Sequence, residues 1–403
     1  MNEVALLREA TPRTTMKYAP TGDFILALDG LRGVAVILVL FRHAAEPVRR
    51  ACDCALFPVI GLDLGNLMVN GWIGVDLFFA LSGFLITRNV LLFEERGRLF
   101  SWRSYLKRRS ARSLPAYLAV LFLIVAGMIP LYRIDPADLL YRIGYHLLFL
   151  QDYLRSDIIV AYWSLGVEVK FYLVIPLLLG VALGTKSVRL RWGLVLLFAM
   201  IGPLSRGLTT IIYEGDMTYA EFFPLLRSPF HMSLDGLGAG MLAALIEQRY
   251  RKQNAMFPPW LAQVLILGGS TIVFSLMISH TMLLRITLWD QIFQPVVMAA
   301  AFSAIILGSS MKRGSNIILT SRPLVFVGRI SYPLYLIHMA LIPLSWAISG
   351  ATRADGSAAL MLFLPVFFTL SIAMATLLHL SVERPFFAHR GAPKFRLSGY
   401  RTR

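Results

Sequence analysis

Apolar stretches of about 20 residues recur along this chain, and each is long enough to cross the hydrocarbon core of a bilayer as a helix. Hydrophobic residues make up 57% of the 403 positions and charged residues only 15%, whereas soluble domains carry roughly a quarter charged residues. The sequence therefore predicts an all-α polytopic membrane protein, a bundle of about ten transmembrane helices. The predicted spans are 24–44, 72–92, 113–130, 162–183, 192–212, 229–247, 260–279, 290–310, 325–348 and 358–381.

The distribution of Lys and Arg predicts how these helices are oriented. If the N-terminus lies in the cytoplasm, most of the 39 Lys and Arg residues fall on that side, which is the positive-inside pattern. We therefore expect both termini to be cytoplasmic. We attribute the net charge of +16 to topology and not to nucleic-acid binding. The predicted domains are a cytoplasmic tail over 1–23, a membrane domain over 24–385 and a basic cytoplasmic tail over 386–403.

The two cysteines, Cys52 and Cys54, lie on the first loop that faces away from the cytoplasm in this topology. A bridge across so short a ring would be strained, and two thiols cannot complete a metal site. Whether they are bridged stays open, and the sequence predicts no metal.

The first predicted span contains Asp29, Arg32 and His43, and ionisable side chains inside a span are costly enough to mark candidate functional sites. Arg32 and His43 are 11 positions apart, which places them on one helix face roughly 16 Å apart along the axis. Asp29 can pair with Arg32, three positions later. The spacing suits a site that holds an anion at one end and moves protons at the other. A local ion pair and a histidine bonded to a neighbouring helix explain the spacing equally well.

Six sequence blocks resemble, in the same order, those of the acyltransferase 3 family of membrane acyltransferases. Together they cover about residues 24–390, and six blocks in order are more specific than any one of them. The blocks are LDGLRGVA at 28–35 with His43, GVDLFFALSGFLIT at 74–87, RSAR at 109–112 with Leu114-Pro115, WSLGVE at 163–168 with Phe171-Tyr172, SYPLYLIH at 331–338, and Glu383-Arg384-Pro385.

The chain departs from the family pattern at two places. Val169 and Lys170 stand where many relatives have Glu-Gln, so no second carboxylate is available beside Glu168. Arg42 stands where an aromatic residue is commoner and places a fixed positive charge next to His43. No hydrolase-like segment follows the last span, so the resemblance is to the single-domain form.

The resemblance implies an O-acyltransferase of the bacterial inner membrane. Such an enzyme would move an acyl group, most often acetyl, from cytoplasmic acyl-CoA to a hydroxyl of an envelope or exported glycan, a glycolipid or a similar acceptor. The resemblance also implies that His43, Glu168 and Asp76 take part in catalysis. The basic segment near 93–112 would bind the phosphates of CoA, because the planar guanidinium group can bond two phosphate oxygens at once. Its seven cations are Arg96, Arg98, Arg103, Lys107, Arg108, Arg109 and Arg112, and we expect Arg108, Arg109 and Arg112, with Arg32, to contact the donor.

Alternatives stay open for several of these residues. The basic segment could instead enforce topology or bind anionic lipids, and Asp76 could make a structural hydrogen bond between helices. Glu168 could orient His43, bind acceptor hydroxyls, or be a buried partner of a cation. The possible cations are Lys170, Arg42 and Arg88, and His338 is expected mainly to pack and hydrogen-bond.

The predicted topology places several polar residues in the outer halves of their spans, which suggests a cavity open to the outside where the acceptor enters. These residues are His43, Asp76, Glu168, His231 and Asp235. His43 could deprotonate the acceptor directly or carry the acyl group itself. A different class, a transporter or flippase of a lipid-linked saccharide, also fits many spans with charges. The sequence lacks the visible symmetry between halves that many transporters show.

Overall fold

The computed structural model describes residues 25–51, 56–59, 62–97, 100–155, 157–185, 187–213, 217–253, 257–279, 289–311 and 317–388. The predicted tail over 1–23, Cys52, Cys54 and almost all of the basic tail over 386–403 lie outside the described residues. The family block at Glu383-Arg384-Pro385 lies inside them.

The described chain is helical apart from its loops and one pair of two-residue strands. The strands β1 (Pro58–Val59) and β2 (Leu62–Asp63) pair in antiparallel register after the first helix. The helices of the first half are α1 Leu26–Ala51, α2 Gly65–Val69, α3 Gly74–Glu95, α4 Trp102–Val125, α5 Leu139–Leu147, α6 Trp163–Gly184, α7 Val188–Ile212 and α8 Tyr219–Phe222. Those of the second half are α9 Leu234–Lys252, α10 Pro259–Ser279, α11 Gln294–Met311, α12 Arg322–Arg329, α13 Ser331–Ile337, α14 Ile342–Ser349, α15 Gly356–Leu378 and α16 Arg384–Ala388.

Short 3-10 and π segments interrupt or extend these helices. The 3-10 segments are Asn70–Ile73, Val160–Tyr162, Phe230–Met232, His338–Leu341 and Ala351–Arg353. The π segments are Phe223–Arg227, Trp289–Phe293 and His379–Glu383. One 3-10 segment, His338–Leu341, lies between α13 and α14 and divides the predicted ninth span.

Within the described residues, seven helical stretches are long and apolar enough to cross a membrane, which makes this a multi-pass membrane protein. They are Gly65–Glu95, Val160–Ala182, Val188–Ile212, Pro259–Ile278, Gln291–Met311, Ser331–Ser349 and Gly356–Phe386. The other three predicted spans fall on α1, α4 and α9, which have 26, 24 and 19 residues. These helices are long enough but carry charged side chains, so the full count of ten stays a prediction.

Helix α4 begins earlier than the sequence predicted. The basic segment near 93–112 was expected to be a loop, but α4 starts at Trp102, where the Ser101 side chain accepts a hydrogen bond from the backbone N–H of Ser104. This N-cap satisfies one of the unpaired N–H groups at the start of the helix. The arginines of the family block therefore lie on a helix, where residues three apart share one face.

Helix α1 packs closely against α3, α12 and α15. Glycines make the closest contacts possible: a Cβ on Gly328 of α12 would lie 1.8 Å from the backbone oxygen of Asp29, and one on Gly74 would lie 2.2 Å from that of Ala35. The family block that contains Asp29 and Arg32 is therefore held tightly against α12.

The connection between α5 and α6 is held against the protein by a buried polar contact. Lys170 of α6 pairs with Asp152 and also donates to the backbone oxygen of Phe149. Burial raises the pKa of the Asp152 carboxyl, and the contact with Lys170 acts in the opposite direction. Lys170 therefore interacts with the segment between α5 and α6.

Candidate active site

Two adjoining cavities contain five of the seven residues that the sequence assigned to catalysis or donor binding. The first, which we call the histidine cavity, has a volume of about 210 Å³ and is lined by His43 and three arginines, Arg42, Arg206 and Arg227. The second, the arginine cavity, has a volume of about 80 Å³. Its polar lining consists of Arg32, Ser82, Arg109, Arg112, Ser113, Ser164, Glu168, Tyr172, Ser331, Tyr332 and Tyr335.

Helix α1 supplies one residue of the predicted site to each cavity. The helix is continuous from Leu26 to Ala51, so Arg32 and His43 lie on one face as their spacing predicted. Arg32 lines the arginine cavity and His43 the histidine cavity. One helix therefore connects the two sites.

The His43 ring is largely buried, with 15% of its side chain exposed. Its Nδ1 has no hydrogen-bond partner among the described residues, and the nearest carboxylate oxygen, Oε2 of Glu46, is 3.7 Å away. Glu46 also lies 4.0 Å from Arg42. The ring centre of His338 is 5.2 Å from that of His43. A small movement would allow Glu46 to bond Nδ1 and leave Nε2 for chemistry.

Arg227 is the most firmly held of the arginines in the histidine cavity. Its two terminal nitrogens donate to the two carboxylate oxygens of Asp76, over 2.8 and 3.0 Å. The indoles of Trp72 and Trp163 lie against its guanidinium group, at 4.9 and 5.1 Å from the ring centres. A bidentate carboxylate and two aromatic contacts fix this cation in place.

Arg206 is fixed in a similar way by Asp235. Its Nη2 donates to Asp235 Oδ2 over 2.8 Å, and its Nη1 donates to the backbone oxygen of Met232. Asp76 and Asp235 therefore stand behind the two arginines, and neither is among the residues that line a cavity. Both arginines line the histidine cavity while these carboxylates balance their charges.

The arginine cavity brings together the cations of two family blocks. Arg32 donates to Asp29 over 2.8 Å, as the sequence predicted. Arg109 lies between the rings of Tyr105 and Tyr172, at 5.6 and 5.4 Å from their centres. Arg112, one turn further along α4, lines the same cavity. Three guanidinium groups around one cavity form a site suited to phosphate oxygens.

Glu168 lies in the arginine cavity and not beside His43. Its Oε1 accepts hydrogen bonds from the hydroxyls of Ser82 and Tyr172. The cations considered as its partners have other carboxylates: Lys170 pairs with Asp152, and Arg88 donates to Glu247 over 2.9 Å. Through Tyr172, Glu168 supports the ring that contacts Arg109.

Arg108 and His231 lie outside both cavities. Arg108 is exposed and lines neither cavity, because consecutive residues of a helix point about 100° apart and its neighbour Arg109 faces inward. His231 was expected in the cavity with His43, but its ring stacks on Tyr153 and is bonded to the Tyr153 hydroxyl over 2.9 Å. A contribution of Arg108 to donor binding would have to come from outside the cavity.

Several residues of the site were not singled out by the sequence. Glu46 could have been found, since it lies three positions after His43 and therefore on the same face of α1. Arg227 and Arg206 carried no motif, and their carboxylate partners lie 151 and 29 positions away. Tyr335 lay within a family block but had no assigned role. Among the described residues no group of three His, Cys, Asp or Glu side chains could hold a metal ion.

Comparison with known proteins identifies the family. The acyltransferase domain that defines the acyltransferase 3 family matches residues 25–380. This chain belongs to the acyltransferase 3 family. The match covers both cavities and extends from the start of α1 to the end of α15.

Three relatives of this acyltransferase 3 chain come from bacteria. It is 24% identical, over 92% of its own length, to a Staphylococcus aureus protein named by inference as an O-acetyltransferase. It is also 24% identical, over 86% of its length, to the peptidoglycan O-acetyltransferase OatA of Listeria monocytogenes. A Komagataeibacter xylinus protein, BcsY, named by inference as a membrane-bound transacylase, is 30% identical over 37% of the chain and 35% of its own length.

The aligned part spans 58% of the Staphylococcus protein and 53% of OatA, so this chain covers little more than half of the length of these relatives. No solved structure matches the chain significantly.

Proposed function

We propose that this chain is an O-acyltransferase of the bacterial inner membrane. It transfers an acetyl or other short acyl group from acyl-CoA to a hydroxyl of an envelope or exported glycan or glycolipid. The observation that carries the proposal is the pair of adjoining cavities: the arginine cavity, lined by Arg32, Arg109 and Arg112, and the histidine cavity, lined by His43. Membership of an acyltransferase family and the O-acetyltransferase relatives support it.

The arginine cavity binds the donor in this proposal. Arg32, Arg109 and Arg112 offer charge-assisted hydrogen bonds to the phosphates at the mouth of the cavity. The nucleotide of CoA stays outside this cavity in the proposal, since the cavity volume is only about 80 Å³. Glu168 then acts as a positioning residue, because it bonds Tyr172, whose ring contacts Arg109.

The histidine cavity binds the acceptor and supplies the base. Neutral His43 accepts the proton of the acceptor hydroxyl, and the hydroxyl oxygen attacks the carbonyl carbon of the thioester. The C–S bond breaks, the new C–O ester bond forms, and the proton passes from His43 to the leaving CoA sulfur. Glu46, 3.7 Å from His43 Nδ1, stabilises the imidazolium that forms in between. An alternative is that His43 itself carries the acyl group between donor and acceptor.

In the predicted topology, the two cavities lie toward opposite sides of the membrane. With the N-terminus in the cytoplasm, Arg32 lies toward the cytoplasmic end of α1 and His43 toward the outer end. The donor then enters from the cytoplasm, where CoA is found, and the acceptor from outside. The arginines of the histidine cavity, held from behind by Asp76 and Asp235, present donors for the oxygen atoms of a saccharide.

The assignment of His43 is tested by acyl transfer in membranes of cells that make the chain naturally. Labelled acetyl-CoA is supplied to membranes that contain the wild type, His43→Gln or His379→Gln. His379 pairs with Glu383 and lines neither cavity, so it serves as the matched histidine control. We expect His43→Gln to lower transfer to glycan or lipid by about 100-fold or more, as for loss of a general base. His379→Gln should retain transfer.

Equal labelling by the wild type and His43→Gln would show that His43 is neither base nor carrier. If the wild type transferred no label from acetyl-CoA or longer acyl-CoA, the acyltransferase proposal itself would be wrong. In that case a change in saccharide-lipid flux across the membrane would favour a transporter.

A further inference from the structure

The two cavities meet at a wall made by two side chains. Val75 of α3 and Tyr335 of α13 are the residues that line both cavities. Next to them, the consecutive residues Trp163 and Ser164 face opposite sides, Trp163 toward the histidine cavity and Ser164 toward the arginine cavity. Any group that moves from one cavity to the other passes this wall.

Tyr335 is held in position at both its hydroxyl and its ring. The hydroxyl donates to the backbone oxygen of Ala161 over 2.8 Å and lies 2.6 Å from the hydroxyl of Ser164. The ring packs edge-on against Phe78, with centres 6.2 Å apart. Tyr335 is therefore part of a fixed barrier, anchored to the start of α6.

The backbone next to Val75 is packed closely against α1. The preceding Gly74 lies so close to α1 that an added Cβ would be 2.2 Å from the backbone oxygen of Ala35. Val75 itself is 6% exposed. The size of the side chain at position 75 therefore determines how much space is left between the two cavities.

The wall lies next to the base. The ring of His338 lies between Tyr335 and His43, with ring centres 5.6 Å from Tyr335 and 5.2 Å from His43. His338 also begins the 3-10 segment that interrupts the helix after α13. An acyl group that has just passed the wall is therefore close to the side chain that receives the acceptor proton.

We propose that Val75 and Tyr335 form the constriction through which the donor's acyl group reaches the histidine cavity, and that Val75 restricts the donor to short acyl groups. The inference rests on the proposed function, since it requires an acyl donor in the arginine cavity. Each methylene added to the acyl group must fit between a fixed valine and a fixed tyrosine. In a packed site one methylene changes the specificity constant by about 10- to 200-fold.

The test compares two donors within each variant, so that a general loss of folded protein cancels. Labelled acetyl-CoA and butyryl-CoA are supplied to membranes with the wild type, Val75→Ala or Val75→Ile, and kcat/KM is measured for each donor. We expect Val75→Ala to raise the butyryl-to-acetyl ratio about tenfold or more, and Val75→Ile to lower it. The matched control is Val90→Ala, which makes the same change at a fully buried valine of α3 that lines neither cavity.

Unchanged ratios in both Val75 variants would overturn the constriction. A shift in Val90→Ala equal to that in Val75→Ala would also overturn it, because general packing of α3 would then control the choice of donor. A wild type that transfers neither acyl group would instead remove the proposed function on which the inference depends. The outcomes therefore separate the two claims.

Discussion

Of the three side chains predicted to be catalytic, His43 lines the histidine cavity, Glu168 lines the arginine cavity, and Asp76 stands behind Arg227. In this arrangement His43 can contact the substrate, whereas Asp76 and Glu168 hold other side chains in place. Among the described residues the Nδ1 of His43 has no hydrogen-bond partner and lies 3.7 Å from Glu46, so that Nε2 is left to accept the acceptor proton. Both carboxylate oxygens of Asp76 bond Arg227, and Oε1 of Glu168 accepts from Ser82 and Tyr172, which fits positioning residues that act through Arg227 and Tyr172.

The two faces of α4 predict different effects on donor binding. Arg109 contacts two tyrosine rings inside the arginine cavity, whereas Arg103, on the same helix, is exposed. Arg109→Gln should raise the KM for acetyl-CoA by about tenfold, because a charge-assisted hydrogen bond contributes roughly 1.5–3 kcal/mol. Arg103→Gln removes an equal charge and should leave KM nearly unchanged. Steady-state kinetics over a range of acetyl-CoA concentrations measures both.

Equal increases in KM for the two variants would mean that the total positive charge near the membrane surface attracts the donor. The arginine cavity would then not be its specific site. An unchanged KM in both variants would mean that the basic segment serves only to orient the protein in the membrane.

At the scale of the element, sequence pattern predicted which residues share a helix face but not which helices meet. The spacing of Arg32 and His43 placed them correctly on one continuous α1. The partner of Asp76 could not be predicted, because Arg227 lies 151 positions away in a π segment without a motif. Glu168 was expected in the same cavity as His43 but lines the arginine cavity, because depth in the membrane does not specify which neighbouring helix a side chain faces.

Helix α12 should tolerate no side chain at its contact with α1. A Cβ at Gly328 would lie 1.8 Å from the backbone oxygen of Asp29, so Gly328→Ala must separate the two helices. We expect a loss of about 1–3 kcal/mol in stability, as for other overpacked contacts, and a lower Tm in detergent. Gly180→Ala in α6 is the control, since a Cβ there would meet nothing within 4 Å. A Tm for Gly328→Ala equal to that of Gly180→Ala would contradict the close contact.

At the scale of the whole molecule, hydropathy predicted the class of protein, and the family blocks contain His43 and most of the residues that line the arginine cavity. Seven of the predicted spans meet the criteria of length and apolarity. The other three, on α1, α4 and α9, carry charges, and two of these helices bear His43, Arg32, Arg109 and Arg112. Charges that build a site inside a bundle lower the apolar character by which a span is recognised.

In the proposed function, one chain accepts the acyl group on the cytoplasmic side of the membrane and delivers it on the other side. Both cavities lie in one helical bundle and meet at Val75 and Tyr335. Bulk exchange of acyl-CoA across the membrane is not required in this account, because only the acyl group passes the wall.

The most direct test uses sealed, right-side-out membrane vesicles from cells that make the chain naturally. Labelled acetyl-CoA is either trapped in the lumen, which corresponds to the cytoplasm, or added outside, and label on external glycan or glycolipid is measured. The account predicts labelling from the lumenal donor that is lost in His43→Gln, and little labelling from the external donor. Equal labelling of the external acceptor from donor supplied only outside would contradict it.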